Sequence, residues 1–166
     1  MTPTPRVVLL IGVAGSGKTT VGRRLADALG WAFEDADDHH SVAARTKMSR
    51  GEGLTDADRA PWLDRLAALI RHRVQEGPPT VLACSALKAS YRERLTAGQP
   101  RVFVAWLDVP RGVIEARLAG RRGHYAGVGL ASSQFAALEP PADVLRLDGT
   151  EPVDAVVETV RRRVEA

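Results

Sequence analysis

Residues 12–19 read Gly-Val-Ala-Gly-Ser-Gly-Lys-Thr, between a β-branched run and an amphipathic stretch. Every fixed position of the pattern G-x-x-x-x-G-K-[ST] is filled. By average composition that pattern arises by accident in roughly one chain in 200 of this length. Its flanks restrict it further. Arg6 to Ile11 reads as a buried strand, and Lys18 to Leu29 as a helix with Val21, Leu25, Ala28 and Leu29 on one face and Gly30 closing it. A strand that stops, turns through glycines and restarts as a helix gathers backbone N–H groups into an anion nest at the positive end of the helix dipole. The expected ligand is a nucleoside triphosphate held by Gly12, Val13, Ala14, Gly15, Ser16, Gly17, Lys18, Thr19 and Thr20. Lys18 would reach the β- and γ-phosphates, and the Thr19 hydroxyl would ligate Mg2+.

The rest of the chain repeats the alternation of strand and helix. Strands are predicted near Trp31–Glu34, Thr80–Cys84, Val102–Leu107 and Val144–Leu147. Helices are predicted over Asp56–Val74, Lys88–Ala97, Arg111–Leu118, Leu130–Leu138 and the C-terminal stretch from Val153. Five strands separated by helices imply an α/β fold with a parallel sheet covered on both faces. In such sheets the ligand lies outside the carboxyl ends of the strands.

Composition narrows the class. The 166 residues suit one domain, and 45% hydrophobic with 26% charged residues is ordinary globular composition. No apolar run approaches the roughly 18–20 residues of a membrane span, and no small-residue cleavage site follows the first apolar run. A single cysteine, Cys84, reads as a small buried apolar group and suits a reducing cytoplasm. The net charge of +3 does not point to nucleic acid, because the longest basic run, Arg161–Arg163, lies opposite a valine stripe on the last helix. The histidines lack the spacing of a zinc site. Twenty of the 23 basic residues are arginine, which singles out Lys18, Lys47 and Lys88 as positions where a compact ammonium matters.

After the second strand comes Glu34-Asp35-Ala36-Asp37-Asp38-His39-His40. Strand Thr80–Cys84 does not end in Asp, so the carboxylates beside the phosphates are expected from this acidic turn. Asp37 is assigned to orient an acceptor hydroxyl and take its proton, Asp35 to the magnesium side, and His40 to hydrogen bonding with substrate.

The blocks Asp37-x-x-His40, Lys47-Met48-x-x-Gly51, Leu54-x-Asp56-x-Asp58-Arg59-x-Pro61-Trp62-Leu63 and Cys84-Ser85-Ala86-Leu87-Lys88-x-x-Tyr91-Arg92 follow in order. Arg117-Leu118-x-x-Arg121-x-Gly123-His124 and Ser133-Gln134-Phe135-x-x-Leu138-Glu139 complete the set. From Gly12 to about Asp148 the chain resembles the gluconate kinase family of small P-loop kinases. The resemblance implies a three-layer P-loop kinase fold with strand order 2-3-1-4-5, as in nucleoside monophosphate kinases, and a mobile lid near residues 119–130. It implies transfer from ATP, with Mg2+, to the 6-hydroxyl of D-gluconate, and a homodimer. Arg117 and Arg121 then belong to the ATP site, with Arg121 catalytic alongside Lys18 and Asp37. Lys47, Arg59, Lys88, Arg92, His124 and Gln134 join Asp37 and His40 on the substrate side. An acid sugar calls for a cation, and Arg59, Lys88 and Arg92 lie on segments leaving strand ends. Arg59 could instead pair with Asp56 or Asp58, and His124 could contact substrate or cap the lid. Trp62 reads as core.

The chain departs from the family pattern at Ser41 and Ala44, where Pro and Asn are usual, and at Ala126 and Ala131, where Met and Leu are usual. A shikimate kinase would carry a triple-glycine turn where this chain has Cys84-Ser85-Ala86-Leu87-Lys88. Competing with gluconate are another small polyol acid or sugar as acceptor, a non-catalytic nucleotide-binding regulator and a nucleic-acid kinase.

Overall fold

Strand β1 (Val7–Ile11) is buried at all five positions because it runs through the middle of a parallel sheet. The computed structural model describes residues 2–119 and 125–166, with side chains described for 2–119 and 131–166. After β1 come α1 (Lys18–Leu29), β2 (Ala32–Asp35), a 3-10 turn (Ala36–His39), α2 (Val42–Ser49) and α3 (Asp56–Gln75). Then follow β3 (Thr80–Cys84), α4 (Ala89–Thr96), β4 (Val102–Asp108), α5 (Arg111–Ala119), α6 (Tyr125–Ala137), β5 (Leu145–Asp148) and α7 (Val153–Glu165). The sheet order is β2-β3-β1-β4-β5 with every pairing parallel, as the family resemblance implies. Val7 stands opposite Thr80 on one side and Val102 on the other.

Alternation along β1 divides the core into two layers. Val7, Leu9 and Ile11 pack with Leu82 and Cys84 beneath Leu63, Leu66 and Ile70 of α3 and Leu95 of α4. Val8 and Leu10 pack with Val81 and Leu107 beneath Leu25 of α1 and Val156 and Val160 of α7. Fully burying one such aliphatic side chain contributes about 1.5–3 kcal/mol, so these faces fix where β1 ends and the loop begins. A third cluster, with Val13, Leu87, Val109, Ile114 and Ala131, closes the carboxyl end of the sheet. Arg161 and Arg162 of α7 are paired with Glu158 on the same helix.

Two elements differ from the sequence reading. Helix α2 occupies a stretch for which no element is expected, and its N-terminus is capped by the Ser41 hydroxyl accepting from the Ala44 N–H at 3.1 Å. It carries no apolar stripe: Val42 is 81% exposed. Helix α6 is already formed at Tyr125, five residues ahead of the expected Leu130. Its glycines lower helix propensity, yet Ala131 and Phe135 pack into the third cluster and tertiary burial overrides propensity. Arg121, Arg122 and His124, within residues 120–124 of the expected lid, lie outside the described residues.

Candidate active site

The turn from β1 into α1 is backbone architecture. Gly17 caps the helix with φ +97°, a left-handed conformation that favours glycine. A Cβ on Gly12 would stand 2.8 Å from the Leu107 carbonyl oxygen and 2.9 Å from Ser16 Oγ. The first N–H groups of α1 have no intrahelical acceptor and face the loop. Lys18 Nζ donates to the Val13 carbonyl at 2.9 Å. Burial lowers its pKa, while the carboxylates of Asp37 and Asp35 act in the opposite direction. The Ala14 N–H donates to Gln134 Oε1 at 2.5 Å. Arg117 donates to the carbonyls of Gly15 at 3.2 Å, Ser16 at 3.3 Å and Gly149 at 3.1 Å. It thereby joins the phosphate loop to the β5–α7 turn, and these segments border one groove with Thr20, Glu151 and Val153.

Asp35 organises the acidic turn. One carboxylate oxygen accepts from the Asp37 N–H at 3.0 Å and the other from the Thr19 hydroxyl at 3.1 Å. The second strand is thereby tied to the last residue of the phosphate loop. Asp37 is open to solvent, yet it stands within the cleft. Loss of surrounding bulk water raises its pKa, the neighbouring Asp35 carboxylate raises it further, and Lys18 opposes both. His40 stacks on Trp62 with ring centroids 4.3 Å apart and planes at 12°. Its Nε2 is 3.9 Å from Asp37 Oδ1, and its buried Nδ1 has no partner among the described residues. Burial, followed by the charges of Arg59 and Arg45, lowers its pKa to about 4, so the ring is neutral near pH 7.

Beside Asp37 opens a cavity of about 130 Å³, with Arg59, Tyr91, Ser85 and Gln134 also in its wall. The cations expected to converge there divide. Lys47 pairs with Asp58 at 2.7 Å, while Asp58 also accepts from the Thr55 N–H in a capping box. These bonds bring the Asp58 pKa down to about 2. Lys88 pairs with Asp56 at 3.0 Å, and the Tyr91 hydroxyl donates to the same carboxylate. The Tyr91 hydrogen bond, then Lys88, holds the Asp56 pKa below its usual value. Both carboxylates that could have paired with Arg59 are therefore taken by lysines. Arg59 lies over the Tyr91 ring, 5.9 Å from its centroid, and donates to its hydroxyl at 3.4 Å.

Arg92 does not join the cavity wall. Its guanidinium donates to the carbonyls of Ala86 at 2.8 Å, Leu87 at 2.9 Å and Glu139 at 2.8 Å, and the side chain is buried. All three acceptors belong to the loops that shape the cavity. Tyr91, like Ser85, lines the cavity without a role in the sequence reading. Its spacing of three from Lys88, the N-cap of α4, is the signal that could have found it. Trp62 is core, as expected, and is cavity wall as well: its Nε1 donates to the Ala36 carbonyl at 2.7 Å beneath the acidic turn.

This arrangement is an anion nest, a carboxylate of raised basicity and a cation-bearing cavity side by side at the strand ends. Residues 7–141 match a family model described as an AAA domain. The chain is 43% identical over 165 residues to a gluconokinase of Gluconobacter oxydans, covering 98% of this chain and 93% of that protein. It is 44% identical over 155 residues to a probable gluconokinase of Mus musculus, covering 83% and 84% of the two. An unliganded sugar kinase from a Janibacter species superposes with a TM-score of 0.88 at 40% identity, covering 98% of this chain and 95% of that one. With the phosphate loop, the sheet order and this likeness over nearly its whole length in agreement, the chain belongs to the gluconokinase family of small P-loop kinases.

Proposed function

We propose that the protein transfers the γ-phosphoryl group of ATP to the 6-hydroxyl of D-gluconate, giving 6-phosphogluconate and ADP. The observation that carries this reading is the adjacency of the phosphate loop, Asp37 and the cavity holding Arg59. Family membership supplies the acceptor. In the transfer, the acceptor oxygen bonds to the γ-phosphorus as the bond to the β–γ bridging oxygen breaks, and the hydroxyl proton passes to Asp37. A raised pKa suits Asp37 to that proton. Lys18 stands between the loop and both carboxylates and balances charge on the phosphates. Arg59 receives the acceptor carboxylate, and neutral His40 bonds a hydroxyl. Lys47 and Lys88 act on the acceptor through the carboxylates they hold in place.

Thr19 and Asp35 are the residues to hold Mg2+. A hydroxyl and a carboxylate 3.1 Å apart are the kind of oxygen donors this hard cation prefers. Held there, the ion would offset negative charge on the phosphates. Arg117 binds on the nucleotide side, and Arg121 and His124 act from a lid near 119–130. No helix among the described residues is long and apolar enough to cross a membrane. A cytoplasmic homodimer acting on small molecules is the form proposed.

A coupled ADP-release assay with ATP, Mg2+ and separate acceptors tests the reading. Gluconate is expected to turn over, and related aldonic acids, shikimate, glucose and nucleoside monophosphates to give at most a small fraction of that rate. Turnover with another acid, and none with gluconate, would keep the kinase and reject the acceptor.

A further inference from the structure

Gln134 touches both halves of the cleft. Its Oε1 accepts the Ala14 N–H of the phosphate loop, while the residue also lines the cavity that holds Asp37 and Arg59. The backbone beneath it is well fastened. One turn on, the Glu139 N–H donates to the Leu87 carbonyl at 2.9 Å, and the Glu139 carboxylate accepts from the Ala89 N–H at 2.7 Å. Arg92 holds the Glu139 carbonyl, and Phe135 packs in the cluster with Val13 and Leu87. Movement at this position therefore belongs to the Gln134 side chain rather than to α6.

The Ala14 amide has one hydrogen to give. A nucleotide phosphate oxygen and the Gln134 carbonyl compete for it, and the charged oxygen makes the stronger bond. We infer that Gln134 couples the two ligand sites. Phosphate takes over the Ala14 N–H, and the released amide turns its one acceptor and two donors to the hydroxyls of the phosphoryl acceptor. Gln134 is on this account a positioning residue whose exchange makes nucleotide and acceptor bind cooperatively. The inference rests on the acceptor assignment above for the identity of the second ligand, though not for the competition at Ala14.

Calorimetric titration of the whole protein with a non-hydrolysable ATP analogue and with gluconate, each alone and in the presence of the other, tests it. In the unaltered protein each ligand is expected to tighten the other by about tenfold, the two factors being equal by linkage. Gln134→Met is expected to abolish this factor. It should also tighten the analogue alone by roughly threefold, since a competing hydrogen bond is gone. Gln134→Glu should weaken the analogue, because its carboxylate would face the phosphates. Thermal melts confirm that each variant folds. Undiminished coupling in Gln134→Met overturns the inference, as does analogue affinity that is unchanged or weaker, which would make Gln134 a brace for the loop. If gluconate binds the unaltered protein neither alone nor with the analogue, the acceptor assignment fails, and the analogue titration by itself decides the competition.

Discussion

The two sides of the cleft are built from different materials. On the proposed nucleotide side most working groups are main-chain N–H donors in one contiguous stretch, Gly12 to Thr19, joined by the Lys18 and Thr19 side chains and set by the end of β1 and the start of α1. On the proposed acceptor side they are side chains that line one cavity from separate segments: Asp37 after β2, Arg59 on α3, Tyr91 on α4 and Gln134 on α6. A backbone site is specified mainly by local conformation, with Lys18 and Thr19 as the side chains it cannot exchange. A side-chain site depends on which neighbour reaches each charge first.

The largest effect is expected where the two sides meet. Asp37→Asn removes the proton acceptor and should lower kcat by about 10²–10⁴-fold, with the melting temperature and the KM for ATP little changed. Steady-state kinetics beside a thermal melt decides this, and near-normal turnover would take the proton away from Asp37. Arg92→Met breaks the comparison from the other direction, because this acceptor-side arginine is read as scaffold. Losing donors to three carbonyls should cost about 2–4 kcal/mol of stability in urea unfolding. A raised KM for gluconate at unchanged stability would return Arg92 to the substrate.

Arg59→Met sharpens the division between the halves. Loss of a charge-assisted hydrogen bond should raise the KM for gluconate by about 10–100-fold and leave the KM for ATP unchanged. Equal effects on both constants would show that the cavity and the loop are not separable in this way. The smallest effect concerns His40. Its pKa falls from 6.5 to about 4 on folding, so in that interval the unfolded chain binds the proton that the folded chain refuses. Stability should therefore fall as pH drops from 6.5 towards 4. Replacing His40 with Gln removes that part of the slope, which urea titrations at several pH values would detect.

Legibility in the sequence follows the same division. The phosphate loop, the sheet order and Asp37 can be placed because short-range patterns and family blocks dictate them. The fate of the lysines cannot. Whether Lys47 and Lys88 meet a substrate or a carboxylate depends on Asp56 and Asp58 projecting from the first turn of α3, a tertiary fact with no signature in spacing. Arg92 misleads for the same reason: an arginine leaving a strand end serves an anion or bare carbonyls equally well. Helix α2 escapes a reading by pattern because it buries almost nothing and so has no apolar period.

The position of β1 also bears on how the protein is made. Val7 has no strand to pair with until Thr80 has been synthesised, and its second neighbour, Val102, comes later still. Local helices can form on the emerging chain, but sheet closure must wait for contacts distant in sequence, which are slow to find. The phosphate loop hangs from the end of that strand. A chain released or cut before β4 would carry the complete nucleotide motif and still lack the frame that shapes it, so binding of ATP can report that translation and folding have both run past residue 108.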